Sequence, residues 1–374
     1  MKPTKDQWIL CISFCAFLGI MAVLFLLLPK SDFSETEKRY LEDTPRLTVD
    51  TLTSGEFGED VESYMADHIP GRDFFVGLNS YFDLLTGRQI AKDIYVAEGD
   101  RLVEAPVEWD EAQANKNMNA VNAFADTIGA KVDLMLVPSG GWAVEDTVIG
   151  IADPYEDETV IDSLYAMAGE NVACNDVLSV FAQAEDKSAL YYKTDHHWTS
   201  LGAYTAYSYF MESKGMDYPV IEDFKVETVE DFKGSNHSRA ALWLTSGETL
   251  EMWSHSENIT VTNADKEGEH AGIFYEERLQ EADKYTVFLD GNHSVVRINN
   301  SDNAGKGSIL VIRDSYSNCL GGFLAESYEN VVLVDLRYYK ESVSELYEAE
   351  AFSDVLVCYS LGNFMTDTNL VWLR

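Results

Sequence analysis

A long uncharged segment near the amino terminus constrains this chain more than any other feature. The sequence WILCISFCAFLGIMAVLFLLL runs from Trp8 to Leu28 without an acidic or basic residue. At a rise of about 1.5 Å per residue, about 20 apolar residues in a helix cross the roughly 30 Å hydrocarbon core of a bilayer. The segment therefore predicts a membrane-spanning helix over residues 8–29.

The flanks of this segment predict its orientation. Lys2 and Lys5 precede it, and positive charge before a first span favours a cytoplasmic amino terminus. A cleaved signal peptide is the alternative, but its apolar region is usually about 7–15 residues long, with small residues at the cleavage site. The following residues, LLLPKSDFS, contain no such site. We expect residues 1–7 in the cytoplasm, a single-pass anchor in the cell membrane, and residues 30–374 outside the cytoplasm.

The composition of the chain indicates a folded, acidic protein. Hydrophobic residues make up 46% of the sequence, and the formal net charge is −37. A surface of this charge repels phosphate backbones, so we expect no nucleic-acid partner. Cys11 and Cys15 lie within the apolar segment, and the other three cysteines, Cys174, Cys319 and Cys358, have neither a disulfide framework nor zinc-type spacing.

Short apolar runs separated by helix-like segments predict the fold. Four runs have the pattern of buried parallel strands, at 132–137, 309–312, 331–335 and 355–359. Helical spacing of apolar residues predicts helices at 73–85, 110–128 and 199–215. Strands that alternate with helices indicate an α/β fold, in which a parallel sheet is flanked by helices.

Residues 217–300 have a different pattern. Short, alternating, turn-bounded stretches such as TLEMWS, ITVTNA, YTVFLDG and SVVRINN predict a β-rich insertion within the α/β domain. The expected organisation is therefore a membrane-proximal stalk and helix at 30–86, followed by an α/β domain at 87–374 that contains the insertion.

The sequence VIRDSYSNCLGGF places Ser315 where a predicted strand meets a predicted helix. In open α/β sheets, functional residues lie at the carboxyl ends of the strands. A serine at such a turn has an exposed hydroxyl, and the amides of the helix start face whatever is bound there. This arrangement suits a nucleophile in acyl transfer. The alternative is that Asp314 or Ser315 only caps the helix.

The segment YYKTDHHWTSLGAY, residues 191–204, is the second candidate site, and we expect a strand just before it at 189–192. In extended backbone alternate side chains share a side, so Asp195 and His197 are expected to point together and His196 to point away. A carboxylate that orients an imidazole beside a serine is the logic of a catalytic triad. The alternative is a hydrogen-bonded structural turn.

A metal site is the rival chemical interpretation of these residues. Asp195 and a neighbouring histidine could bind zinc, but a catalytic zinc site needs about three protein ligands. The remaining histidines have no H-x-H or H-x-x-x-H spacing: His68, His237, His255, His270 and His293. We therefore expect no metal and no cofactor.

Taken together, these motifs resemble the bacterial DHHW protein family, which is named for the residues found here at 195–198. The matching motifs are EKRYL at 37–41, DHIPGRD at 67–73, TDHHW at 194–198, RDSYS at 313–317 and DLRYY at 335–339. The resemblance covers most of residues 34–364, and it rests on the combination and order of the motifs rather than on the tetrapeptide alone.

That family is similar to the SGNH-hydrolase-like domains of alginate O-acetyltransferases, in which an Asp-x-His pair and a later serine form the triad. The resemblance implies that Asp195 orients, His197 is the base and Ser315 is the nucleophile. It also implies a polysaccharide acceptor in the cell envelope or in export, and a multi-spanning membrane acyltransferase as the partner that supplies the acyl group. The chain departs from ordinary SGNH hydrolases in motif order and in having Arg313 in place of glycine. The oxyanion-binding residues are therefore unassigned, with Asn363 as a loop candidate.

Four further residues are candidates for substrate binding. Trp198 would stack on a sugar ring unless it is a core residue, and Asp314 and Tyr316 flank the serine. Arg337 would contact an oxyanion or a sugar, or form a structural ion pair. Two functions besides O-acetyl transfer stay open: a carbohydrate esterase that uses the same triad with water, and a non-catalytic glycan-binding scaffold.

Overall fold

The structure is a computed structural model that describes residues 4–34, 39–88, 90–148 and 154–374. Lys2 and the first two residues of the EKRYL motif lie outside the described residues. The chain forms two compact units, one from Met1–Arg88 with Ser238–Trp243 and the other from Gln89–His237 with Leu244–Arg374. The domain boundaries expected from the sequence, after residues 29 and 86, stay predictions.

The first unit contains the apolar helix, which runs from Lys5 to Leu27. Its amino end is capped by Thr4, and no residue of this described helix is buried. By its length and its apolar composition, this helix can cross a membrane. The remaining elements of the unit are the short strands Phe33–Ser34 and Arg39–Tyr40 and the helices Val49–Ser54, Glu56–His68 and Arg72–Leu85.

The second unit is built on an eight-stranded sheet. In spatial order its strands are His270–Ala271, Ile259–Asn263, Val295–Asn300, Asn330–Val334, Ser308–Arg313, Asp354–Ser360, Val132–Val137 and Val172–Cys174. The last five strands are parallel to one another, and the first three pair antiparallel at one edge. All four predicted parallel strands lie in this sheet, which confirms the predicted α/β class.

Helices cover both faces of the sheet, as the burial of a parallel sheet requires. One face packs against Ser200–Lys214 and Ser317–Ala325, and the other against Glu111–Ile128, Val343–Ala349 and Leu361–Thr366. Because side chains alternate along a strand, Val311 belongs to one buried cluster and Leu310 and Ile312 to the other. Burying each such side chain stabilises the fold by about 1.5–3 kcal/mol. Shorter helices complete the unit: Gly140–Ala143, Asp157–Tyr165 and Val177–Ala182. The helix Ser235–Ala240 begins in this unit, and its residues from Ser238 onward are grouped with the first.

The β-rich segment at 217–300 contributes to two sheets. Lys225–Phe232 and Glu248–Ser254 form a separate antiparallel ribbon, whereas its other three strands extend the main sheet. A three-stranded sheet lies earlier in the chain, formed by Ile90–Ala91, Ile94–Ala97 and Arg101–Glu104.

Two predicted strands are wrong. YTVFLDG begins instead as the 3₁₀ helix Lys284–Val287, and left-handed backbone at Leu289 and Asp290, with φ of 57° and 66°, prevents extension. The strand expected at 189–192 is replaced by the 3₁₀ helix Lys187–Leu190, because the Asp186 side chain caps it by accepting from Ser188 N.

Candidate active site

Ser315 lies at the carboxyl end of the parallel sheet, as the sequence predicts. The strand Ser308–Arg313 ends two residues before it, and the helix Ser317–Ala325 begins two residues after it. The helix Ser200–Lys214, capped by Thr199 and ended by Gly215 in left-handed conformation, follows the segment 193–197. This segment carries Asp195, His196 and His197, and we call it the DHHW loop.

The structure brings Asp195, His197 and Ser315 into one hydrogen-bonded chain. His197 Nδ1 lies 2.5 Å from Asp195 Oδ1, and His197 Nε2 lies 2.8 Å from Ser315 Oγ. A carboxylate only accepts hydrogen bonds, so the proton of the neutral imidazole belongs on Nδ1. Nε2 is then free to accept the Ser315 hydroxyl proton, which is the arrangement that a general base requires.

Burial tunes the imidazole toward its neutral form. His197 and Ser315 are 5% and 7% exposed. Burial lowers the pKa of His197 below its usual value, and the neighbouring His196 lowers it further, while Asp195 opposes both. The imidazole is therefore available as a base at neutral pH.

The predicted pairing of Asp195 with His197 is observed, but the backbone behind it is not extended. Residues 193–197 form a series of bends, and His196 does not point away from its neighbour. Its ring centroid lies 3.8 Å from that of His197, and its Nδ1 lies 2.5 Å from Ser235 Oγ. The expectation for His196 was wrong because loop hydrogen bonds, rather than strand alternation, set the side-chain directions.

A second loop fixes the Asp195 carboxylate. Oδ2 accepts from Ser235 N at 2.6 Å, and Oδ1 also accepts from His197 N at 2.9 Å. Gly234 makes this approach feasible, because a Cβ there would lie 2.2 Å from Asp195 Cβ. The sequence analysis missed Gly234 and Ser235, and no local pattern distinguishes the stretch KGSNH from an ordinary turn.

Glu248 braces the beginning of the DHHW loop. Its carboxylate accepts from Lys193 N, Thr194 N and Thr194 Oγ1, each at 2.6 Å. Burial raises the pKa of Glu248, and these hydrogen bonds oppose that rise. The DHHW loop is therefore held at its start by the half-buried Glu248 and at its centre by the buried Asp195.

Trp198 and Tyr316 link the DHHW loop to the serine turn. Trp198 Nε1 donates to Tyr316 O at 3.0 Å, and Tyr316 Oη donates to His196 O. Trp198 is fully buried, so of the two alternatives the core residue describes it rather than a ring that stacks on a sugar. Its ring instead packs edge-on against Tyr316, with centroids 5.3 Å apart. These contacts set the distance between base and nucleophile.

Asp314 and Arg337 also make structural contacts rather than facing a ligand. Asp314 is 1% exposed, and its Oδ2 accepts from Ser360 N, Ser360 Oγ and Asn363 Nδ2 at 2.8–2.9 Å. Arg337 pairs with Asp335, with Nη2 2.6 Å from Oδ2. The prediction of substrate binding does not fit Asp314, because its carboxylate already accepts hydrogen bonds from protein donors. For Arg337, the structure shows the alternative, a structural ion pair.

The rival metal interpretation can be tested on the same atoms. Asp195, His196 and His197 form a group whose ligand-type atoms lie within 4.8 Å of one another. The Asp195 oxygens accept from Ser235 N and His197, and both His197 nitrogens have hydrogen-bond partners. A metal ion would have to displace these bonds, so the donor set fits a triad better than a metal site.

A cleft of about 710 Å³ opens beside the hydrogen-bonded chain. Asp195, His196 and Tyr316 belong to its lining, whereas Ser315 and His197 lie just behind them and are buried. The loops after the strands Val132–Val137 and Asp354–Ser360 supply other parts of the lining. The position agrees with the rule that ligands of open α/β sheets bind beyond the carboxyl ends of the strands.

Solved structures with a similar fold include a DHHW family protein from Eubacterium siraeum. It is 22% identical, with a TM-score of 0.66, over 76% of this chain and 95% of that one. Bacillus cereus PatB1, solved with a sulfonyl adduct, is 19% identical, with a TM-score of 0.61, over 73% of this chain and 96% of that one. A weaker match, too distant to carry an argument, is the O-acetyltransferase domain of Pseudomonas putida AlgJ, at 12% identity, a TM-score of 0.49, and coverage of 73% and 92%.

No curated protein sequence matches this chain. The sequence model of the family described as DHHW protein matches residues 110–334, which is more than half of the chain. The matched residues include the DHHW loop and Ser315. This confirms the resemblance inferred from the motifs, and the chain is a member of the DHHW protein family.

Proposed function

We propose that this protein is a membrane-anchored O-acyltransferase that acylates a polysaccharide outside the cytoplasm. Ser315 is the nucleophile, His197 the base and Asp195 its orienting partner. The proposal is carried by one observation, the chain in which His197 lies 2.5 Å from Asp195 and 2.8 Å from Ser315. The sequence motifs support a sugar acceptor, because they resemble those of alginate O-acetyltransferase domains.

In the first half-reaction, Ser315 Oγ attacks the carbonyl carbon of the acyl donor while His197 Nε2 accepts the hydroxyl proton. The bond to the leaving group then breaks, and His197 returns the proton to the departing oxygen. The acyl group is left as an ester on Ser315. Asp195 stabilises the positive charge that the imidazole carries between these two proton transfers.

In the second half-reaction, a hydroxyl of the acceptor gives its proton to His197 Nε2 and attacks the ester carbonyl. Ser315 Oγ leaves and recovers the proton, so the products are an O-acylated acceptor and the original enzyme. Water in place of the sugar would give hydrolysis by the same steps. The difference between transferase and esterase therefore lies in which acceptor occupies the cleft.

The location of the reaction is a separate part of the proposal. The helix Lys5–Leu27 anchors the chain, and Lys5 at its amino end favours the orientation that puts the second unit outside the cytoplasm. A multi-spanning membrane acyltransferase is the proposed acyl donor. Protease added to intact, wall-stripped cells should degrade the second unit, and a fully protected second unit would contradict this orientation.

The nucleophile can be tested on the full-length protein in detergent. PatB1 has been solved with a sulfonyl adduct, so an aryl sulfonyl fluoride is a suitable reagent. We expect it to label Ser315 and to block release of p-nitrophenol from p-nitrophenyl acetate. Ser315→Ala should abolish both, with the thermal unfolding midpoint nearly unchanged. Ser317→Ala, which removes a buried hydroxyl two residues away, is the matched control and should keep the labelling.

Product analysis by mass spectrometry separates the alternatives. Acetyl groups on an added oligosaccharide, in excess of free acetate, support the transferase. Free acetate alone, lost in the Ser315→Ala variant, supports the esterase. A protein that takes no label at Ser315 and releases no p-nitrophenol contradicts both enzymes and favours a glycan-binding scaffold.

A further inference from the structure

The cleft beside Ser315 has acidic and apolar walls. No lysine or arginine occurs among its described lining residues. Glu108 and Glu156 are exposed on its wall, and Asp157 is buried in it.

Burial and nearby carboxylates both disfavour ionisation of two buried groups in the cleft wall, Asp157 and Tyr155. Asp157 Oδ1 accepts from Ser139 N at 2.5 Å, yet burial raises the pKa of Asp157, and the carboxylate of Glu145 raises it further. Burial also raises the pKa of Tyr155, and Asp157, Glu104 and Glu145 add to that rise. Both shifts indicate a region that disfavours additional negative charge.

A second groove continues the cleft. It has a volume of about 610 Å³ and shares Glu108 and Trp109 with the cleft. Asp110 and Glu111 extend its acidic wall, again with no basic residue among the described lining. Trp109, at the junction, is 40% exposed, and a partly exposed indole offers an apolar face on which a sugar ring can stack. The two hollows together provide a path for several linked sugars rather than for one small molecule.

We propose that the acceptor is a glycan that is uncharged or bears protonated amino groups, and that it lies along the cleft and the groove with one sugar against Trp109. The carboxylates of Glu108 and Glu156 select against polyanionic glycans. Like charges brought together between low-dielectric walls repel strongly, whereas an ammonium group in the same place is attracted. The inference rests on the proposed function, since it assumes that the cleft holds the acceptor.

The test measures binding, which does not require turnover. Full-length protein carrying Ser315→Ala, in detergent, is titrated with three hexasaccharides at low salt: N-acetylglucosamine, glucosamine and mannuronate oligomers. We expect the neutral and amine-bearing oligomers to bind at least tenfold more tightly than the uronate. Raising the salt should narrow the difference between the glucosamine and mannuronate oligomers, because ions screen the interaction of exposed charges.

Variants assign the selectivity to particular residues. The double variant Glu108→Gln with Glu156→Gln should reduce the discrimination against the uronate at least threefold. Glu348→Gln, which removes the same charge from an exposed helix position that does not line the cleft, should leave it unchanged. In the same Ser315→Ala background, Trp109→Ala should weaken the binding of the neutral oligomer about tenfold.

The outcomes separate this inference from the proposed function. A uronate that binds as tightly as the neutral oligomer, or no binding by any of the three, would overturn the inference. The inference would also be overturned if the double variant and Glu348→Gln changed the discrimination against the uronate oligomer equally. Absence of labelling at Ser315 would instead overturn the proposed catalysis. The titrations would still show whether the protein prefers non-anionic glycans, because they measure binding alone.

Discussion

The imidazole of His197 lies parallel to the phenol ring of Tyr285, with ring centroids 3.8 Å apart and planes 6° apart. Tyr285 is buried, and its hydroxyl has no hydrogen-bond partner among the described residues. A stacked ring restrains the plane of an imidazole without competing for either nitrogen. We therefore assign Tyr285 a positioning role, which the sequence analysis did not anticipate.

Substitutions of Tyr285 should separate its ring from its hydroxyl. Tyr285→Phe keeps the stacking surface and removes an unpartnered hydroxyl, so turnover of p-nitrophenyl acetate should stay within about twofold. Tyr285→Ala leaves a cavity beside His197 and should lower the free energy of unfolding by about 3–5 kcal/mol. Turnover by the folded fraction should fall at least tenfold, because the imidazole is no longer restrained. An equal loss of turnover in Tyr285→Phe would show that the hydroxyl itself acts.

The two histidines of the DHHW loop should differ in their effects on rate. His197→Ala removes the proposed base and should lower turnover by about 10³-fold or more, with little change in folding. His196→Ala removes a ring that contacts His197 and Ser235 Oγ but has no hydrogen bond to Ser315. We expect it to lower turnover by no more than about tenfold. Equal losses in both variants, together with inactivation by a chelator, would favour a metal site instead.

The pH dependence of turnover follows from the pKa of His197. Burial lowers this pKa below 6.5, and only the neutral imidazole can accept the Ser315 proton. The acid limb of kcat/KM should therefore lie below pH 6.5. The unfolded chain binds this proton more readily than the folded one, so stability should also fall as the pH drops below 6.5. An acid limb above that value would mean that the pKa is raised rather than lowered.

The parts of the fold that the sequence predicts are those fixed by burial. The strands Val132–Val137 and Ser308–Arg313 are apolar along almost their whole length, because both faces of the sheet are covered. A short run of apolar residues of this kind is compatible with few structures other than a buried strand. YTVFLDG has a similar composition, but left-handed backbone at Leu289 and Asp290 turns the chain away from a strand.

The site is predictable only in part, because distant contacts decide how each side chain is used. Trp198 is of a residue type that often stacks on sugars. Its indole instead donates a hydrogen bond to the backbone carbonyl of Tyr316, 118 residues further along the chain. The prediction that Asp195 pairs with His197 assumes extended backbone, which the DHHW loop does not adopt. The residues that hold the carboxylate, Gly234 and Ser235, follow it by about 40 positions and carry no recognisable motif.

Gly234 provides the sharpest test of this arrangement. A Cβ at this position would lie 2.2 Å from Asp195 Cβ and 2.3 Å from Asp195 Oδ2, so Gly234→Ala must separate the two segments. The 2.6 Å bond from Ser235 N to Asp195 Oδ2 would then lengthen, and the carboxylate would no longer hold the imidazole. We expect a loss of at least about 100-fold in turnover and the disappearance of the downfield proton resonance of His197 Nδ1–H.

A matched glycine shows whether the contact, rather than the loss of glycine, causes the effect. Gly58 has no atom within 4 Å of a Cβ built on it, so Gly58→Ala should leave turnover and the resonance unchanged. Glycine in a helix is also less favourable than alanine by about 0.5–1 kcal/mol, so this control should be slightly more stable than the natural protein. A Gly234→Ala variant with normal turnover and an intact resonance would mean that Asp195 is positioned without the close approach of the second loop, and that the DHHW loop alone orients its base.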